Sequence, residues 1–400
     1  MPDRVDWLSR LSNPAAAAPA SGIAEVMKHG FGRDDIVRLW VGEGDQPTPD
    51  FIATAATQSL QRGETFYMPQ AGIPDLRAAL ARYHDRLFGS LFGSPFGADR
   101  FFVTGSGMQA IQIAIRLVAG TDEEILVPTP AWPNFAAATR VAGARAVPVQ
   151  QRFSPNGWQL ELDDLEAAVT DRSRALFLNS PSNPSGWTAS LDDLTAFLAF
   201  ARRHALWIIA DEVYGRFSYT DAMTTPSLHS LIEPDDRVLF VNTFSKNWAM
   251  TGWRIGWLEA PSGLAGPIEN LIQYSTSGSA VFMQRAAIAA LDQGEDALGA
   301  LLDRARIGRE IVTARLAKIS GIEFAAPGAF YLFFRIAGVS NSTETAKTIL
   351  AHTGVGLAPG SAFGPGGEGF FRLCFAGDHD VLRTATDRLA EYLVASMTSA

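Results

Sequence analysis

The chain has 400 residues, of which 47% are hydrophobic and 19% charged, and its formal net charge is −9. This composition is typical of a folded globular protein with one large core or two unequal ones, and it excludes a disordered chain. The negative charge and the lack of a Lys/Arg-rich run argue against a nucleic-acid partner.

Cysteine use and hydropathy bear on the location of the protein. Cys374 is the single cysteine, which excludes an intramolecular disulfide and a metal site of several thiolates, and no metal ligand is assigned. The stretch MPDRVDWLSRLSNPAAAAPA lacks the apolar core of a signal peptide. No later apolar run approaches the roughly 18 residues of a membrane span. We therefore expect a cytoplasmic protein without membrane contact.

The N-terminal segment, residues 1–47, shows little periodicity that predicts regular secondary structure. GIAEVMKHG predicts a short helix, and IVRLWVGEGDQPTPD predicts a strand that breaks into a Gly/Pro loop. Between residues 48 and 290, apolar runs alternate with helical patterns, and the runs are RFFVT, EEILVP, ARAVPV, RALFLN, LWIIAD, RVLFVN and IGWLEA. This alternation predicts an α/β fold with a large domain, in which helices sandwich a mostly parallel, seven-stranded sheet.

The remaining residues, 291–400, predict a second region. DQGEDALGALLDRARIGREIVTARLAKIS has helical periodicity over many turns and indicates an interdomain helix. Strands are predicted in IEFAAPGAFYLFFRI and GFFRLCFAG, and a closing helix begins near Asp380. We expect this C-terminal part to form a smaller α+β domain together with residues 1–47.

A strand, a glycine-rich turn and a helix follow one another in RFFVTGSGMQAIQIAI. TGSGMQA has the G-x-G-x-x-A spacing that brings a dinucleotide pyrophosphate to a helix N-terminus. A dinucleotide fold also needs an acidic residue at the end of its second strand, but acidic residues 122–124 precede that strand. The turn therefore indicates an anion site at the N–H groups of Ser106, Gly107 and Met108, or a tight turn without a ligand. A dinucleotide oxidoreductase is a minor alternative.

Polar residues follow two later strands, at the carboxyl ends where the ligand-binding sites of α/β proteins lie. Asn183 lies in the stiff, Pro-rich loop NSPSNPSG, which could also be a simple turn. Asp211 ends the next strand, and Tyr214 comes three residues later. A carboxylate at the mouth of a buried strand needs a cationic partner, unless it caps a helix.

A third strand end carries Thr243, Ser245, Lys246 and Arg254 in VNTFSKNWAMTGWR. A lysine among apolar neighbours can have a depressed pKa and act as a nucleophilic amine. The alternative is a lysine on a solvated face.

Together these residue types match the needs of pyridoxal phosphate. This cofactor needs an amine, a carboxylate against its pyridinium nitrogen, donors to its phenolic oxygen, a stacking aromatic and a phosphate cradle. The chain resembles the class I/II aminotransferases of the aspartate aminotransferase superfamily, which have fold type I. The matching motifs occur in family order over nearly the whole chain, and they are YMPQAGIPDLRAAL, PAWPNF, NSPSNPSG, ADEVYG, FSKNWAMTGWRIGW, PGAFYLFF and FRLCFA.

The resemblance implies roles at the cofactor for five residues, of which Lys246, Asp211 and Tyr214 are catalytic. Lys246 forms the internal aldimine and moves the proton between the substrate α-carbon and the cofactor. Asp211 keeps the pyridinium nitrogen protonated, while Tyr214 and Asn183 hydrogen-bond the phenolate oxygen. Trp132 stacks on the cofactor ring.

The resemblance also implies how phosphate and substrate are bound. Arg372 resembles the arginine that binds the substrate α-carboxylate, assisted by Asn183, Trp132 and the backbone near Gly44; a strand-surface ion pair is its alternative. Tyr67 resembles the tyrosine that reaches the phosphate of a neighbouring subunit, which implies a homodimer with shared active sites. The phosphate would be held by Ser106, Gly107, Met108, Thr243, Ser245 and Arg254.

The implied reaction is ping-pong transfer of an amino group from an L-amino acid to a 2-oxo acid. Family members specific for dicarboxylates often add a lysine in the phosphate turn or an arginine in the segment matching ENLIQYSTSG. This chain has Met108 in the turn and no Arg or Lys between Glu269 and Gly278. We therefore predict a neutral or aromatic donor, with Trp40 and Tyr274 as pocket walls. An aspartate aminotransferase, a β-lyase or racemase on the same fold, and a non-catalytic regulator are the alternatives.

Overall fold

The strands and helices are taken from a computed structural model, which describes residues 7–154 and 156–398. Its strands are β1 (Val37–Arg38), β2 (Phe101–Thr104), β3 (Glu124–Thr129), β4 (Arg145–Gln150), β5 (Arg152–Ser154), β6 (Gly157–Gln159), β7 (Ser173–Asn179), β8 (Trp207–Asp211), β9 (Val238–Thr243), β10 (Gly256–Glu259), β11 (Ile322–Phe324), β12 (Tyr331–Ile336), β13 (Val355–Gly356), β14 (Ala358–Pro359) and β15 (Phe370–Cys374).

The helices alternate with these strands along most of the chain. They are α1 (Asn13–Ala16), α2 (Gly22–Lys28), α3 (Asp50–Gln61), α4 (Pro74–Phe88), α5 (Gly107–Val118), α6 (Pro133–Val141), α7 (Leu162–Ala168), α8 (Leu191–Arg203), α9 (Phe244–Asn247), α10 (Ala265–Gln273), α11 (Val281–Gln293), α12 (Glu295–Leu316), α13 (Ser342–Thr353) and α14 (His379–Thr398). None of the described helices combines the length and the apolar character that crossing a membrane requires.

The large sheet has seven strands in the order β2-β10-β9-β8-β7-β3-β4. β10 runs antiparallel to both of its neighbours, and the other neighbouring pairs are parallel. Each of the seven apolar runs forms one of these strands. The predicted α/β fold with a mostly parallel, seven-stranded sheet is therefore confirmed.

Helices cover both faces of this sheet. In β3, Ile125 and Val127 pack in one core with α5, whereas Leu126 packs in another core with α8. This division follows from the geometry of a strand, in which successive side chains point to opposite faces. Strands β2, β3 and β10 are buried along their whole length, which explains why they read as continuous apolar runs, whereas the edge strand β4 is partly exposed.

The C-terminal part contains a four-stranded sheet in the order β11-β12-β15-β14. Strand β1 pairs in parallel with β13, so the N-terminal segment joins the C-terminal part. Val26 and Trp40 share one hydrophobic core with Leu332, Phe371 and Leu389.

The long helical run predicted from Asp292 is α12, and only its first two residues belong to α11, which ends just before Gly294. A Cβ atom at this position would lie 2.2 Å from the Ala290 carbonyl oxygen and 2.6 Å from Trp248 Nε1. The chain therefore needs glycine where α12 turns away from α11.

Candidate active site

The candidate site lies at the carboxyl ends of β7, β8 and β9, where parallel strands deliver their loops to one edge of the sheet. Asn179, Asp211 and Thr243 end these three strands. Asn179 Nδ2 donates to the backbone oxygen of Asp211 at 3.0 Å, and Asn179 Oδ1 accepts from the Asn183 N–H at 2.8 Å. Lys246 follows on α9, directly after β9. The strand ends therefore bring the polar residues of three motifs together.

Lys246 lies in a partly buried position below the loop that contains Gly42. Its Nζ atom donates to the Gly42 carbonyl oxygen at 2.7 Å and lies 5.7 Å from the centre of the Phe330 ring. A cavity of about 40 Å³ is lined by Lys246, Gly44, Phe330 and neighbouring residues. Burial lowers the pKa of Lys246 to about 8, and the positive charge of Arg372 acts in the same direction. Lys246 is therefore a desolvated amine, and the solvated-face alternative does not describe it.

Asp211 is a buried carboxylate with 3% of its surface exposed. Among the described residues, its carboxylate accepts one long hydrogen bond, from the Val213 N–H at 3.4 Å. Burial raises the pKa of Asp211 to about 7, although the Val213 N–H and the charge of Lys246 both oppose this rise. The carboxylate thus lacks the strong donor or cation that normally accompanies a buried charge.

Arg372 lies on β15 and has 3% of its surface exposed. Its Nη1 donates to Asn183 Oδ1 at 2.7 Å, and its Nη2 donates to the Trp40 carbonyl oxygen. Its Nε has no hydrogen-bond partner among the described residues. A buried guanidinium with uncharged partners and an unused N–H is suited to an anionic ligand, not to a surface ion pair.

Tyr214 follows β8 and points toward β12. Its hydroxyl lies 2.8 Å from the Tyr331 hydroxyl, and the two rings meet edge to face. Burial raises the pKa of Tyr214 well above its ordinary value. The phenol therefore stays protonated and can donate a hydrogen bond.

The glycine-rich turn starts α5 and packs closely on the end of the sheet. Ser106 caps this helix, since its Oγ accepts from the Gln109 N–H at 3.2 Å. A Cβ on Gly107 would lie 3.3 Å from Thr243 Cβ, and one on Gly256 would lie 2.7 Å from the Gly107 nitrogen. The first N–H groups of a helix have no intrahelical acceptor, so this turn offers donors to an anion.

Thr243, Ser245 and Arg254 adjoin the turn in different ways. Thr243 Oγ1 lies 2.9 Å from Ser245 Oγ and accepts from the Ser245 N–H at 3.2 Å. Arg254 is exposed, has φ +52° and donates from Nη1 to the Thr251 carbonyl oxygen at 2.5 Å. The structure thus groups the two hydroxyls, while the guanidinium lies at the surface.

The sequence matches the family model described as "Aminotransferase class I and II" over residues 34–389. The chain belongs to this aminotransferase family. An aspartate aminotransferase of Pyrococcus abyssi is 34% identical over 396 residues, with 98% of each chain covered. Aromatic-amino-acid aminotransferase 2 of Thermococcus litoralis is 33% identical, covering 96% of this chain and 98% of the relative.

A solved structure also resembles this aminotransferase. The aspartate aminotransferase of Thermotoga maritima superimposes with a TM-score of 0.87 at 30% identity, covering 96% of this chain and 100% of that chain. The class I and II family and its fold depend on pyridoxal phosphate. The chain is therefore an aminotransferase, and the relatives are consistent with pyridoxal-phosphate-dependent transamination.

The residues of the aminotransferase fit this cofactor in the chemistry of their donors. Lys246 supplies a desolvated amine, and Asp211 supplies a carboxylate that lacks a strong partner. The turn at Gly107 leaves space that a Cβ would restrict and offers helix N–H groups. Each of these features has a counterpart in the cofactor: its aldehyde, its ring nitrogen and its phosphate.

Trp132 and Met108 pack against the same hydrophobic core. Trp132 precedes α6, and both side chains are partly buried against the core beneath α5. Neither residue carries a charge into the site.

Gly44 and Trp40 belong to the N-terminal loop that covers the site. Gly44 lines the cavity at Lys246, and a Cβ there would lie 3.2 Å from the Ala376 carbonyl oxygen. The Trp40 ring packs in the C-terminal core, where it excludes a Cβ at Gly356. Trp40 therefore contacts Arg372 with its backbone carbonyl oxygen, and the Trp40 ring does not line the pocket.

Tyr67 and Tyr274 lie on the surface of the described chain. Their exposed fractions are 90% and 84%, and the neighbouring Phe66 is 81% exposed. The structure therefore does not bring Tyr67 to the other predicted site residues within one chain.

Two residues of the site were missed by the sequence analysis. Tyr331 contacts Tyr214, and its ring lies 4.5 Å from the Arg372 guanidinium. Gln109 accepts from the Gly105 N–H at 2.5 Å and donates to Ser275 Oγ at 2.9 Å. Both residues lie inside quoted motifs, PGAFYLFF and TGSGMQA, but only the fold shows which partners they meet.

Proposed function

We propose that this aminotransferase binds pyridoxal 5'-phosphate at Lys246 and transfers the amino group of an L-amino acid to a 2-oxo acid by a ping-pong mechanism. The observation that carries the proposal is the buried Lys246 amine, with its pKa lowered to about 8, in one site with the weakly partnered carboxylate of Asp211. When bound, the cofactor supplies an electron sink for the bond that breaks at the substrate α-carbon.

The chain's own residues would bind the ligands and move the proton. Lys246 would hold the cofactor and, as general base and acid, the proton at the substrate α-carbon. Asp211 would face the ring nitrogen and keep its proton in place. Arg372 would bind the substrate α-carboxylate, because its Nε is unused and Asn183 orients its Nη1. Tyr214 and Asn183 would donate to the phenolic oxygen.

The remaining cofactor contacts are proposed from the phosphate turn and the surrounding loops. Trp132 would stack on the ring. Support for the phosphate site is the start of α5 together with the paired hydroxyls of Thr243 and Ser245. The full phosphate set would be Ser106, Gly107, Met108, Thr243, Ser245 and Arg254, with Tyr67 from a second subunit.

The absorption spectrum of the purified protein tests the cofactor site. We expect visible absorption from the lysine-bound cofactor, which Lys246→Ala removes. Lys318→Ala is the control, since Lys318 is exposed. A Lys246→Ala protein that keeps both this absorption and its turnover would show that another amine holds the cofactor.

A reaction without an acceptor distinguishes transamination from a β-lyase or racemase on the same fold. Mixed with an amino acid alone, the protein should convert one equivalent of cofactor to the amino form and then stop. Continued release of ammonia or pyruvate, or continued inversion of the amino acid, would favour the alternatives.

A neutral or aromatic amino donor is supported by the cavity around Lys246. Its described lining includes Phe217, Leu301 and Phe330, and Glu43 is the charged residue there besides the lysine. Glu43 would repel a second substrate carboxylate. A panel of donors against 2-oxoglutarate, oxaloacetate and pyruvate tests this, and higher kcat/KM for L-aspartate or L-glutamate would instead favour an aspartate aminotransferase.

We also propose a homodimer with shared active sites. Phe66, Tyr67 and Tyr274 are large side chains that are more than four-fifths exposed, which is typical of an interaction surface. Light scattering should give twice the chain mass, and Tyr67→Phe should weaken cofactor binding more than Tyr274→Phe. The cytoplasmic location and the domain limits 1–47, 48–290 and 291–400 stay predictions from the sequence.

A further inference from the structure

A buried cluster of two histidines and one glutamate lies at the far end of β10 from the phosphate turn. Glu259 ends β10 opposite Phe101 and Phe240, whereas Gly256 at the other end pairs with Thr243. His84 comes from α4, and His229 comes from the 3-10 turn Leu228–Ser230. The exposed fractions of His84, His229 and Glu259 are 2%, 5% and 0%.

Hydrogen bonds fix which ring nitrogens of the two histidines carry a proton. His84 Nδ1 donates to the Leu80 carbonyl oxygen at 2.9 Å. His229 Nδ1 lies 2.8 Å from Ser227 Oγ, which in turn lies 2.9 and 3.0 Å from the Glu212 carboxylate oxygens. Ser227 Oγ donates its single hydroxyl hydrogen to the Glu212 carboxylate, so Ser227 Oγ accepts from His229 Nδ1. Both Nε2 atoms then carry lone pairs.

The two Nε2 atoms converge on one carboxylate oxygen. His229 Nε2 lies 2.8 Å and His84 Nε2 lies 3.7 Å from Glu259 Oε2, and all three atoms lie within 4.8 Å of one another. Arg100 Nε donates to the other oxygen, Glu259 Oε1, at 3.1 Å. Two ring nitrogens and one carboxylate oxygen therefore face one another in a buried space, where a cation between them would contact all three.

Aromatic neighbours hold the ring of His229 in one orientation. His229 is stacked between Phe88 and Phe240, with ring centres 4.3 and 3.8 Å away, so its plane is fixed.

We propose that His84 Nε2, His229 Nε2 and Glu259 Oε2 bind a divalent metal ion of the zinc class, at a structural site separate from the cofactor. Two imidazoles and one carboxylate are a typical zinc ligand set, and each histidine has the partner on its Nδ1 that metal-bound histidines usually have.

The space between the groups also suits zinc. Zinc–ligand distances near 2.1 Å place tetrahedral ligand atoms roughly 3.3 Å apart, between the two measured distances to Glu259 Oε2. A cavity of about 30 Å³, lined by His84, Ser227 and Glu212, adjoins the cluster and has room for a water as fourth ligand. The ion would join α4, β10 and the 3-10 turn.

Metal content of the untagged holoenzyme tests the site. The protein is purified after exposure to Zn²⁺, dialysed without chelator and analysed by mass spectrometry for zinc per chain. We expect one zinc per chain and a tetrahedral visible spectrum when Co²⁺ replaces zinc. His84→Gln should bind zinc at least about 10-fold more weakly, since the loss of even an outer partner of a ligand costs roughly 10–100-fold.

His352→Gln is the matched control, because His352 Nδ1 also bonds the carbonyl oxygen four residues earlier but lies on the surface. His84→Gln leaves the Arg100–Glu259 and His229–Glu259 contacts in place, so the variant should stay folded. Folded wild-type protein that retains no zinc above background, with the same Tm with and without chelator, would overturn the proposal. Full zinc content in His84→Gln would overturn it as well.

Discussion

The two ends of β10 border two buried polar regions that differ in how well their charges are compensated. Near Gly256, Asp211 has one long hydrogen bond and a pKa raised to about 7, and Lys246 has a pKa lowered to about 8. At the other end, Glu259 Oε2 lies 2.8 Å from His229 Nε2 and Glu259 Oε1 accepts from Arg100 Nε at 3.1 Å, so both carboxylate oxygens have close partners.

The first region therefore contains charged groups that lack an ion-pair partner among the described residues and are suited to bind a ligand. The second contains a carboxylate that the folded protein itself stabilises. A carboxyl with a raised pKa is destabilised in its ionised form by folding, whereas one with a lowered pKa is stabilised. Perturbations of the first kind are typical of functional sites. Replacing residues in the first region should therefore remove activity and spare stability, and replacing Glu259 should do the reverse.

Lys246→Ala should have the largest effect. Turnover should fall by about 10⁴-fold, because the variant loses its general base. The Tm of the cofactor-free protein should stay equal or rise, since a desolvated amine is removed. Steady-state kinetics and thermal unfolding check both, with Lys318→Ala as the control; a large loss of Tm would mean that Lys246 supports the fold.

Glu259→Gln should mainly reduce stability. It leaves Arg100 without its buried anion and removes one of the three proposed metal ligands, so the free energy of unfolding should fall by about 3–5 kcal/mol. Denaturant titration measures this, and Asp303→Asn, at an exposed ion pair with Arg306, should change it by less than about 1 kcal/mol. Equal effects of the two variants would contradict the comparison.

Asp211→Asn should change both the rate and the pH dependence of stability. Turnover should fall by roughly 10²–10³-fold, as for the loss of one preorganised electrostatic partner. Because folding raises the Asp211 pKa from 3.8 to about 7, its contribution to stability is greatest below pH 4 and is lost as pH rises toward 7.

The pH dependence is measured on cofactor-free protein. Between pH 5 and pH 8 the wild type should lose up to about 3 kcal/mol relative to Asp211→Asn. Parallel stability curves for the two proteins would show that Asp211 is already ionised and compensated without a ligand.

Tyr331→Phe should have the smallest effect. The change removes one hydroxyl that lies 2.8 Å from the Tyr214 hydroxyl, which is worth about 1 kcal/mol, or roughly a fivefold loss of kcat/KM. Tyr392→Phe, on the outer helix α14, is the control and should leave kcat/KM unchanged. A loss as large as that of Asp211→Asn would make Tyr331 an essential residue.

The sequence predicted the large sheet, and it placed candidate site residues at the edge of that sheet, for the same physical reason. A parallel sheet covered on both faces needs apolar strands, and the residue that follows such a strand lies at the edge where ligands bind. Asp211 and Lys246 were recognised in this way, from their places at the ends of LWIIAD and RVLFVN.

Contacts between distant segments could not be read from the sequence. Arg372 meets the backbone oxygen of Trp40, which no pattern of side chains reveals. His84, His229 and Glu259 come from a helix, a turn and a strand that are far apart in the chain. Such contacts depend on how distant segments pack against each other, and the local periodicity of the sequence does not determine this packing.

Strand β10 has four residues, and its register with its neighbours positions the residue at each end of the strand. Gly256 lies under the phosphate turn, where a Cβ would clash with the Gly107 nitrogen, and Glu259 lies in the histidine cluster. A shift of one residue turns every side chain of a strand to the opposite face. A single-residue deletion inside β10 would therefore place a bulky side chain against the turn and withdraw the carboxylate from the histidines, so insertions and deletions should be tolerated less here than in the loops on either side.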